Sequence, residues 1–299
     1  MNLITFKNLT LQEKKNLYNF IYRVDRNFDK NYEEMIQFFE SEVFEYGNQL
    51  FVSHINGNII CCFGIITKEI EVCKMAYITE FYVKNYDLTL YKNNIKNILK
   101  DAVEFSISKG ANKTSLGIRN EMLYLSEIII DSGFKEVYDA LIMNYEGQRI
   151  LRQSNLNGKL KFKPLNLGNI SNFTKLHNKA FNGECNAATI TDEDSMVYLQ
   201  NYKGNEELIG IIEEKNIEIG VYMLSKVDDI GWIDNIAIIN EYRGRGLGKE
   251  LLNKCIEFLQ IKKVNEIKLL VITSNYKAYG LYKSFGFKDE KIFSKWFEN

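Results

Sequence analysis

Three glycines and two arginines are concentrated in the segment EYRGRGLGKELL, which runs from residue 241 to residue 252. The segment follows the apolar run WIDNIAII and opens an amphipathic pattern, so we expect a turn between a strand and a helix. The first turn of a helix carries unpaired backbone N–H groups and partial positive charge. Glycine lets that backbone approach a ligand, and the pattern therefore predicts an anion site for a phosphate or diphosphate.

Two common phosphate-binding loops are excluded by their spacing. The dinucleotide motif Gly-x-Gly-x-x-Gly needs its last glycine where Lys249 stands. The Walker loop needs its first glycine where Arg243 stands. The spacing that fits is Arg-x-x-Gly-x-Gly, which Arg243, Gly246 and Gly248 satisfy.

At this motif the chain resembles the GNAT superfamily of acyl-CoA-dependent N-acyltransferases. The segment IINEYRGRGLGKELL is similar to the strand, diphosphate loop and helix of that family. The segment SNYKAYGLYKSFGF is similar to a downstream family segment, in which an Asn ends a strand and a Tyr precedes Gly-Phe. The clear resemblance covers about residues 205–299, and the order of elements extends it back to about residue 159.

The resemblance implies acetyl-CoA as the cofactor and assigns its contacts. Main-chain groups of Ile236 and Ile238 are expected to pair with the pantetheine arm as another strand would. Asn275 is expected to touch the same arm. The diphosphate is expected to lie against the loop residues Arg243, Gly244, Arg245, Gly246, Gly248 and Lys249.

Two residues are expected to move protons. Tyr282 matches the family tyrosine that can protonate the departing thiolate, and a phenol with a pKa of about 10 keeps its proton at neutral pH. Asp234 is the candidate general base, because strand alternation places it on the face of Ile236 and Ile238. Each assignment has a structural alternative: Tyr282 as a core aromatic, Asp234 as a surface aspartate, Asn275 as a helix cap.

The composition limits the other classes of function. The 299 residues carry a net charge of −1, which argues against nucleic acid or an anionic membrane as a partner. The amino-terminal residues do not have the pattern of a signal peptide, and no apolar run is long enough for a membrane helix. Five cysteines without a CxxC pair and two distant histidines predict free thiols, no metal site and a cytoplasmic protein.

The order of elements predicts two tandem α/β domains. Each half has a long strand, a loop and helix, a strand ending in Asn, and a short helix ending in Gly-Phe. We expect domains at 1–146 and 159–299, joined by a polar linker at 147–158. The resemblance implies that each is GNAT-like, with a mixed, mainly antiparallel sheet flanked by helices.

The first half departs from the motif. Aligned on its own Gly-Phe pair, it places Leu88 at the position of the motif arginine, and Tyr91 and Asn93 at the glycine positions. Ile129 stands where the second half has Tyr282. We therefore expect the first domain to keep the fold without the cofactor site, and to shape the acceptor pocket or pack as a pseudo-dimer partner.

The expected reaction is transfer of an acetyl or other acyl group from acetyl-CoA to an amine by direct attack in a ternary complex. The acceptor is a small-molecule amine or a peptide, and the chain is a monomer with pseudo-dimeric domains or a homodimer. The alternatives are a non-catalytic CoA-binding or interaction module, or acyl transfer to a thiol or hydroxyl. A cationic acceptor is favoured by the acidic residues Glu213, Glu214, Glu218, Asp228, Asp229 and Asp234.

Overall fold

The structure is a computed structural model that describes residues 2–84, 88–147, 159–183 and 189–299. The chain divides into two compact units. The first unit combines Met1–Ala140 with Ile292–Asn299, and the second is Leu141–Lys291. The predicted linker at 147–158 lies outside the described residues except for its first residue.

The first unit is a mixed sheet with helices on its faces. Its helices are α1 (Leu11–Val24), α2 (Tyr32–Phe39), α3 (Ile70–Cys73), α4 (Leu88–Ser108) and α5 (Ser126–Asp131). Its strands are β1 (Asn2–Thr5), β2 (Leu50–Ile55), β3 (Asn58–Ile66), β4 (Met75–Val83), β5 (Lys113–Arg119) and the start of β6 (Lys135–Tyr145). Strands β1 to β4 pair antiparallel in chain order, and β4 and β5 are parallel. The end of the last strand of the chain pairs antiparallel with β5.

Local sequence explains the helices on one face of this sheet. Thr10 and Asn31 form capping boxes that start α1 and α2. Leu17 on α1 and Phe39 on α2 are fully buried in one core cluster, whereas Ile98 on α4 is buried in another. Apolar residues thus fill both faces of the sheet, as expected for a layered α/β unit.

The second unit has the same kind of architecture. Its helices are α6 (Ile170–Phe181), α7 (Asp192–Asn201), α8 (Leu247–Ile261) and α9 (Tyr276–Ser284). Its strands are the end of β6, β7 (Leu160–Pro164), β8 (Ile209–Glu214), β9 (Ile217–Val227), β10 (Ile230–Ile238), β11 (Glu266–Ile272) and the start of β12 (Phe287–Glu298). The sheet order is β6-β11-β10-β9-β8-β7, with β10 and β11 parallel and the pairs from β10 to β7 antiparallel.

Helix α8 is held by a buried stripe at helical spacing. Leu252, Cys255, Ile256 and Leu259 have no exposed surface. Burying one such aliphatic side chain contributes about 1.5–3 kcal/mol. This packing fixes the start of α8, which is the end that carries the glycine loop.

Two neighbouring strands of the second unit separate along their length. The parallel register of β10 and β11 ends where Ile233 lies opposite Leu269. Both strands continue beyond this pair, β10 to Ile238 and β11 to Ile272. The far end of β10 therefore has a main-chain edge that β11 does not cover.

None of the helices in the described ranges combines the length and the apolar character that spanning a bilayer requires.

Candidate functional site

The uncovered edge of β10 presents main-chain groups of two predicted site residues. The amide of Ile239 donates to the carbonyl of Ile219 on β9 at 2.9 Å. Because successive residues of a strand point their amides to opposite sides, Ile238 and Ile236 direct theirs away from β9. That is the side from which β11 has separated, so this edge can pair with an extended, amide-containing ligand.

The glycine loop at the start of α8 fits an anion. Gly244 and Gly246 have φ angles of +81° and +80°, a left-handed conformation that side chains other than glycine rarely adopt. Their α-carbons face open space, since a Cβ added at either would have no neighbour within 4 Å. Within the described residues, the main-chain amides from residue 244 to residue 248 donate to no carbonyl or side chain. A diphosphate is the kind of group that such a set of amides binds.

The amide of Lys249 does not belong to this set. It donates to the carbonyl of Gly246 at 3.1 Å and so closes the first turn of α8. The Lys249 side chain is exposed and remains available to an anion.

The two arginines of the motif have different surroundings. The Nε of Arg243 donates to the carbonyl of Ile238, and one of its terminal nitrogens donates to the carbonyl of Ala180, both at 2.7 Å. Arg243 thus ties the end of β10 to α6. Arg245 donates to the carbonyl of Glu241, and its guanidinium lies over the ring of Tyr242 at 4.7 Å. The charge of Arg245 is exposed beside the loop.

Helix α9 contributes the downstream predicted residues and packs next to the loop. A Cβ built on Gly248 would lie 3.6 Å from the side chain of Leu281. The side-chain oxygen of Asn275 accepts from the amide of Ala278 at 3.1 Å, so this residue caps α9, as the structural alternative proposed. Its side-chain amide nitrogen can still donate to a ligand.

Tyr282 is half-buried on α9, with its ring 5.9 Å from that of Phe287. Burial raises the pKa of its hydroxyl above the ordinary value, and nearby Cys255 adds to the rise. Within the described residues the hydroxyl has no hydrogen-bond partner. Tyr282 can therefore donate a proton across the neutral pH range.

The orientation predicted for Asp234 is wrong. Ile236 and Ile238 pack with Ile233 into the core beneath α8. The register with β9 shifts between Ile233 and Asn235, so Asp234 is the extra residue of a β-bulge. The bulge breaks the alternation and turns Asp234 away from the face of Ile236 and Ile238.

Asp234 lies instead among hydroxyl groups. Surrounding protein raises the pKa of its carboxyl to about 6, while hydrogen bonds from Ser225 and Tyr202 lower it. The side chain also has exposed surface, so the carboxyl is accessible to solvent and to an acceptor. A carboxyl tuned upward in this way is suited to accept a proton near neutral pH. Sequence reasoning missed Ser225 and Tyr202, which the strand pairing and the end of α7 bring to Asp234.

The other acidic residues do not form one cluster with Asp234. Lys163 pairs with Glu218 at 3.0 Å and with Glu213 at 3.5 Å. Asp228 and Asp229 occupy the turn at the opposite end of β9. Among the described residues, no set of three His, Cys, Asp or Glu side chains is arranged to hold a metal.

The first unit has a different arrangement at the corresponding segment. Helix α4 contains no glycine. Tyr91 is half-buried against the core and Asn93 is exposed, whereas the side chain of Leu88 is outside those described. Ile129 is fully buried. The features of the glycine loop are therefore missing from the described part of this segment.

In the first unit, the main chain at the end of β4 accepts a hydrogen bond from a side chain of the same unit. The carbonyl of Val83, the last residue of β4, accepts a hydrogen bond from the hydroxyl of Tyr124 at 2.5 Å. Tyr124 is half-buried and packs against the core of the first unit. In the second unit, the last residue of β10 accepts from Arg243 of the glycine loop instead.

Comparison with known proteins agrees with this geometry. Residues 171–287 match the model of the Acetyltransferase (GNAT) family. The ribosomal protein bS18-alanine N-acetyltransferase of Haemophilus influenzae is 37% identical over 94 residues, which cover 31% of this chain and 64% of that enzyme. The chain thus spans less than two thirds of the length of this relative.

Two solved structures share the fold over most of the chain. A GCN5-related N-acetyltransferase from Sphaerobacter thermophilus superposes with a TM-score of 0.70 at 14% identity, covering 100% of this chain and 95% of that one. A tandem GNAT protein from the clavulanic acid biosynthesis pathway superposes with a TM-score of 0.50 at 9% identity, covering 83% and 81%. The family match thus identifies a GNAT acetyltransferase domain within residues 171–287, and the solved structures show that the chain shares the GNAT fold.

Proposed function

We propose that the second unit transfers an acyl group, acetyl in the simplest case, from acetyl-CoA to an amine. The observation that carries this proposal is the set of unpartnered amides from residue 244 to residue 248, next to the uncovered edge of β10. The amides would hold the diphosphate, and the main chain of Ile236 and Ile238 would pair with the pantetheine amides. When bound, the cofactor supplies an activated thioester.

The chain's own residues supply proton transfer. The carboxylate of Asp234 accepts the proton that the amine loses as its nitrogen attacks the acyl carbon. Tyr282, held protonated by its burial, would supply the proton that the departing thiolate needs. One proton is taken up and one is delivered, so the enzyme returns to its starting state after proton exchange with solvent.

Direct transfer to the acceptor is favoured over an acyl-cysteine route. Cys61, Cys62 and Cys255 are buried, and burial raises the pKa of each thiol well above its ordinary value. A thiol that stays protonated is a poor nucleophile. Cys73 is exposed and belongs to the first unit, and Cys185 lies outside the described residues.

The acceptor class follows from the carboxyl at the bulge. An ammonium group is attracted to a carboxylate such as Asp234. Once the ammonium has given its first proton to solvent, the carboxylate can accept the second as the nitrogen attacks. The Haemophilus relative, by its name, acetylates an alanine of a ribosomal protein. We therefore propose a primary amine, on a small molecule or at a peptide terminus, as the acceptor.

The test is a thiol-release assay with acetyl-CoA and a panel containing a polyamine, an aminoglycoside, a peptide with a free α-amine, a thiol and an alcohol. We expect release with an amine, and about 10- to 100-fold lower kcat for Tyr282→Phe at nearly unchanged KM for acetyl-CoA. Tyr279→Phe is the matched control, because Tyr279 lies on the same helix as Tyr282 and its hydroxyl donates to Asp289 on β12. Binding without release from any acceptor would favour a non-catalytic CoA-binding module and contradict the proposal.

A further inference from the structure

The last residue of β10 directs its main chain to the uncovered edge of the strand. Ile238 lies opposite Gly220 of β9, and it is the amide of the next residue, Ile239, that donates to β9. In an antiparallel pair, the amide and the carbonyl of one residue point to the same side, and those of its neighbour point to the other side. Both main-chain groups of Ile238 therefore lie on the edge where a ligand can pair.

The side chain of Arg243 already occupies one of these two groups. Its Nε donates to the carbonyl of Ile238 at 2.7 Å, and one terminal nitrogen donates to the carbonyl of Ala180 at the same distance. Ala180 is in the last turn of α6, where carbonyls have no partner within the helix and a positive charge is stabilised. The amide of Arg243 donates to the carbonyl of Asn240 at 3.1 Å, so its main chain is held as well.

The first unit has a side chain at the equivalent carbonyl, although it has no glycine loop. The hydroxyl of Tyr124 donates to the carbonyl of Val83, the last residue of β4, at 2.5 Å. The segment that stands in place of the loop there, from Leu88 to Asn93, contains no glycine. A bond to this carbonyl thus occurs without the loop that would hold a diphosphate. This favours a role of the bond at the strand edge over a role in anion binding.

We propose that Arg243 is a positioning residue, which ends the pairing edge of β10 at Ile238 and thereby sets where the pantetheine arm binds. This inference rests on the proposed acyl transfer from acetyl-CoA. With the carbonyl of Ile238 occupied, the amide of Ile238 and the two main-chain groups of Ile236 remain on this edge for the arm. An arm that pairs with these groups is held in one register along the strand. The hydrogen bond of Nε, rather than the charge of Arg243, then carries its role.

Two substitutions separate the donor from the charge. Arg243→Lys keeps the charge but has a methylene where Nε stood, whereas Arg243→Gln has an amide nitrogen at that position and no charge. The probes are coenzyme A and its nucleotide half, which carries the diphosphate without the arm, and the Kd of each is measured by isothermal titration calorimetry. We expect Arg243→Lys to raise the Kd for coenzyme A about five- to tenfold and to leave that for the nucleotide half unchanged. Arg243→Gln should leave both Kd values within about threefold of the wild type.

Hydrogen exchange in the ligand-free protein is an independent readout. Loss of the Nε bond frees the end of β10, so the amide of Ile239 should exchange about tenfold faster in Arg243→Lys and at the wild-type rate in Arg243→Gln. Arg23→Lys is the matched control, because the Nε of Arg23 donates to the carbonyl of Asn19 on α1 in the first unit at 3.0 Å. This control should change neither the exchange rate nor the two Kd values.

The two probes separate this inference from the proposed function. If Arg243→Gln weakens the binding of both probes and Arg243→Lys weakens neither, Arg243 acts through its charge and the inference is overturned. Equal Kd values for coenzyme A in the wild type and both variants would overturn it as well. A wild type that binds no coenzyme A would contradict the proposed function itself, and the inference would fall with it. If Arg243→Lys melts at a much lower temperature than the wild type, Arg243→Gln still decides, because a loss of affinity above about tenfold in that variant contradicts the inference.

Discussion

Asp234 and Tyr282 have surroundings that suit them to opposite roles. The pKa of the Asp234 carboxyl is raised to about 6, just below neutral pH. The pKa of the Tyr282 hydroxyl, which is ordinarily well above neutral pH, is raised higher still. At a pH between these two pKa values, Asp234 is deprotonated and can accept a proton, whereas Tyr282 is protonated and can donate one. This separation is how a site carries out both proton transfers at one pH.

Asp234→Asn should reduce kcat/KM by about 10²- to 10³-fold with little change in CoA affinity, because the amide cannot accept the amine's proton. In the wild type the base is active when deprotonated, so kcat/KM should fall as the pH drops through about 6. The Asp234→Asn variant should not show this fall in kcat/KM at acidic pH. Asp228→Asn, in an exposed turn, is the control. If Asp234→Asn still showed the fall in kcat/KM at acidic pH, that fall would come from the titration of another group.

At the residue scale, some candidate site residues could be predicted from the sequence and others could not. Asp234, Tyr282 and Asn275 became candidates because the resemblance to the GNAT family places site residues at their positions relative to the glycine loop. Tyr202 and Ser225 were not, since they reach Asp234 through pairing and packing between distant parts of the chain. A lone tyrosine at the end of a polar helix has no local signal that distinguishes it from a packing residue.

At the scale of elements, the main difference from expectation is the bulge in β10. Strict alternation was assumed for this strand, and one inserted residue reverses the face that follows. Strand β4 of the first unit has a similar irregularity, since its register with β3 shifts between Cys62 and Gly64. Glu80 lies in that stretch with a φ of +50°. In each unit, an acidic residue of this strand, Glu80 or Asp234, lies just beyond the last residue pair of the two parallel strands.

The start of α8 gives a prediction for the glycine loop. Gly246→Ala forces a side chain into a left-handed conformation that costs about 1–2 kcal/mol and distorts the amides around it. We expect the Kd for CoA, measured by isothermal titration calorimetry, to rise at least about tenfold. Gly57→Ala is the matched control: its φ is +77°, it also faces open space, and it lies in the first unit. Equal losses of affinity in both variants would show a general effect of strain instead.

Much of the element order was predictable because helices and strands leave periodic apolar patterns. The helices from α6 to α9 and the strands around them follow those patterns closely. The separation of β10 from β11 was not predictable from the residues alone, because register is set by neighbouring strands rather than by local sequence. The resemblance to a family, not periodicity, supplied the expectation that a ligand pairs with β10.

At the scale of the whole molecule, we propose two GNAT-like domains with one cofactor site. In the first unit, the segment that stands in place of the loop, from Leu88 to Asn93, contains no glycine. The unit also includes the last eight residues of the chain, Ile292–Asn299. A linear pattern could not predict that assignment, because strand pairing between distant segments has no local signature.

Crystals soaked with coenzyme A test the central claim most directly. We predict one diphosphate per chain, within hydrogen-bond distance of the main-chain amides from residue 244 to residue 248, and an extended arm along Ile236 and Ile238. We predict no such density beside α4 of the first unit. A diphosphate bound elsewhere, or a second one in the first unit, would contradict the account.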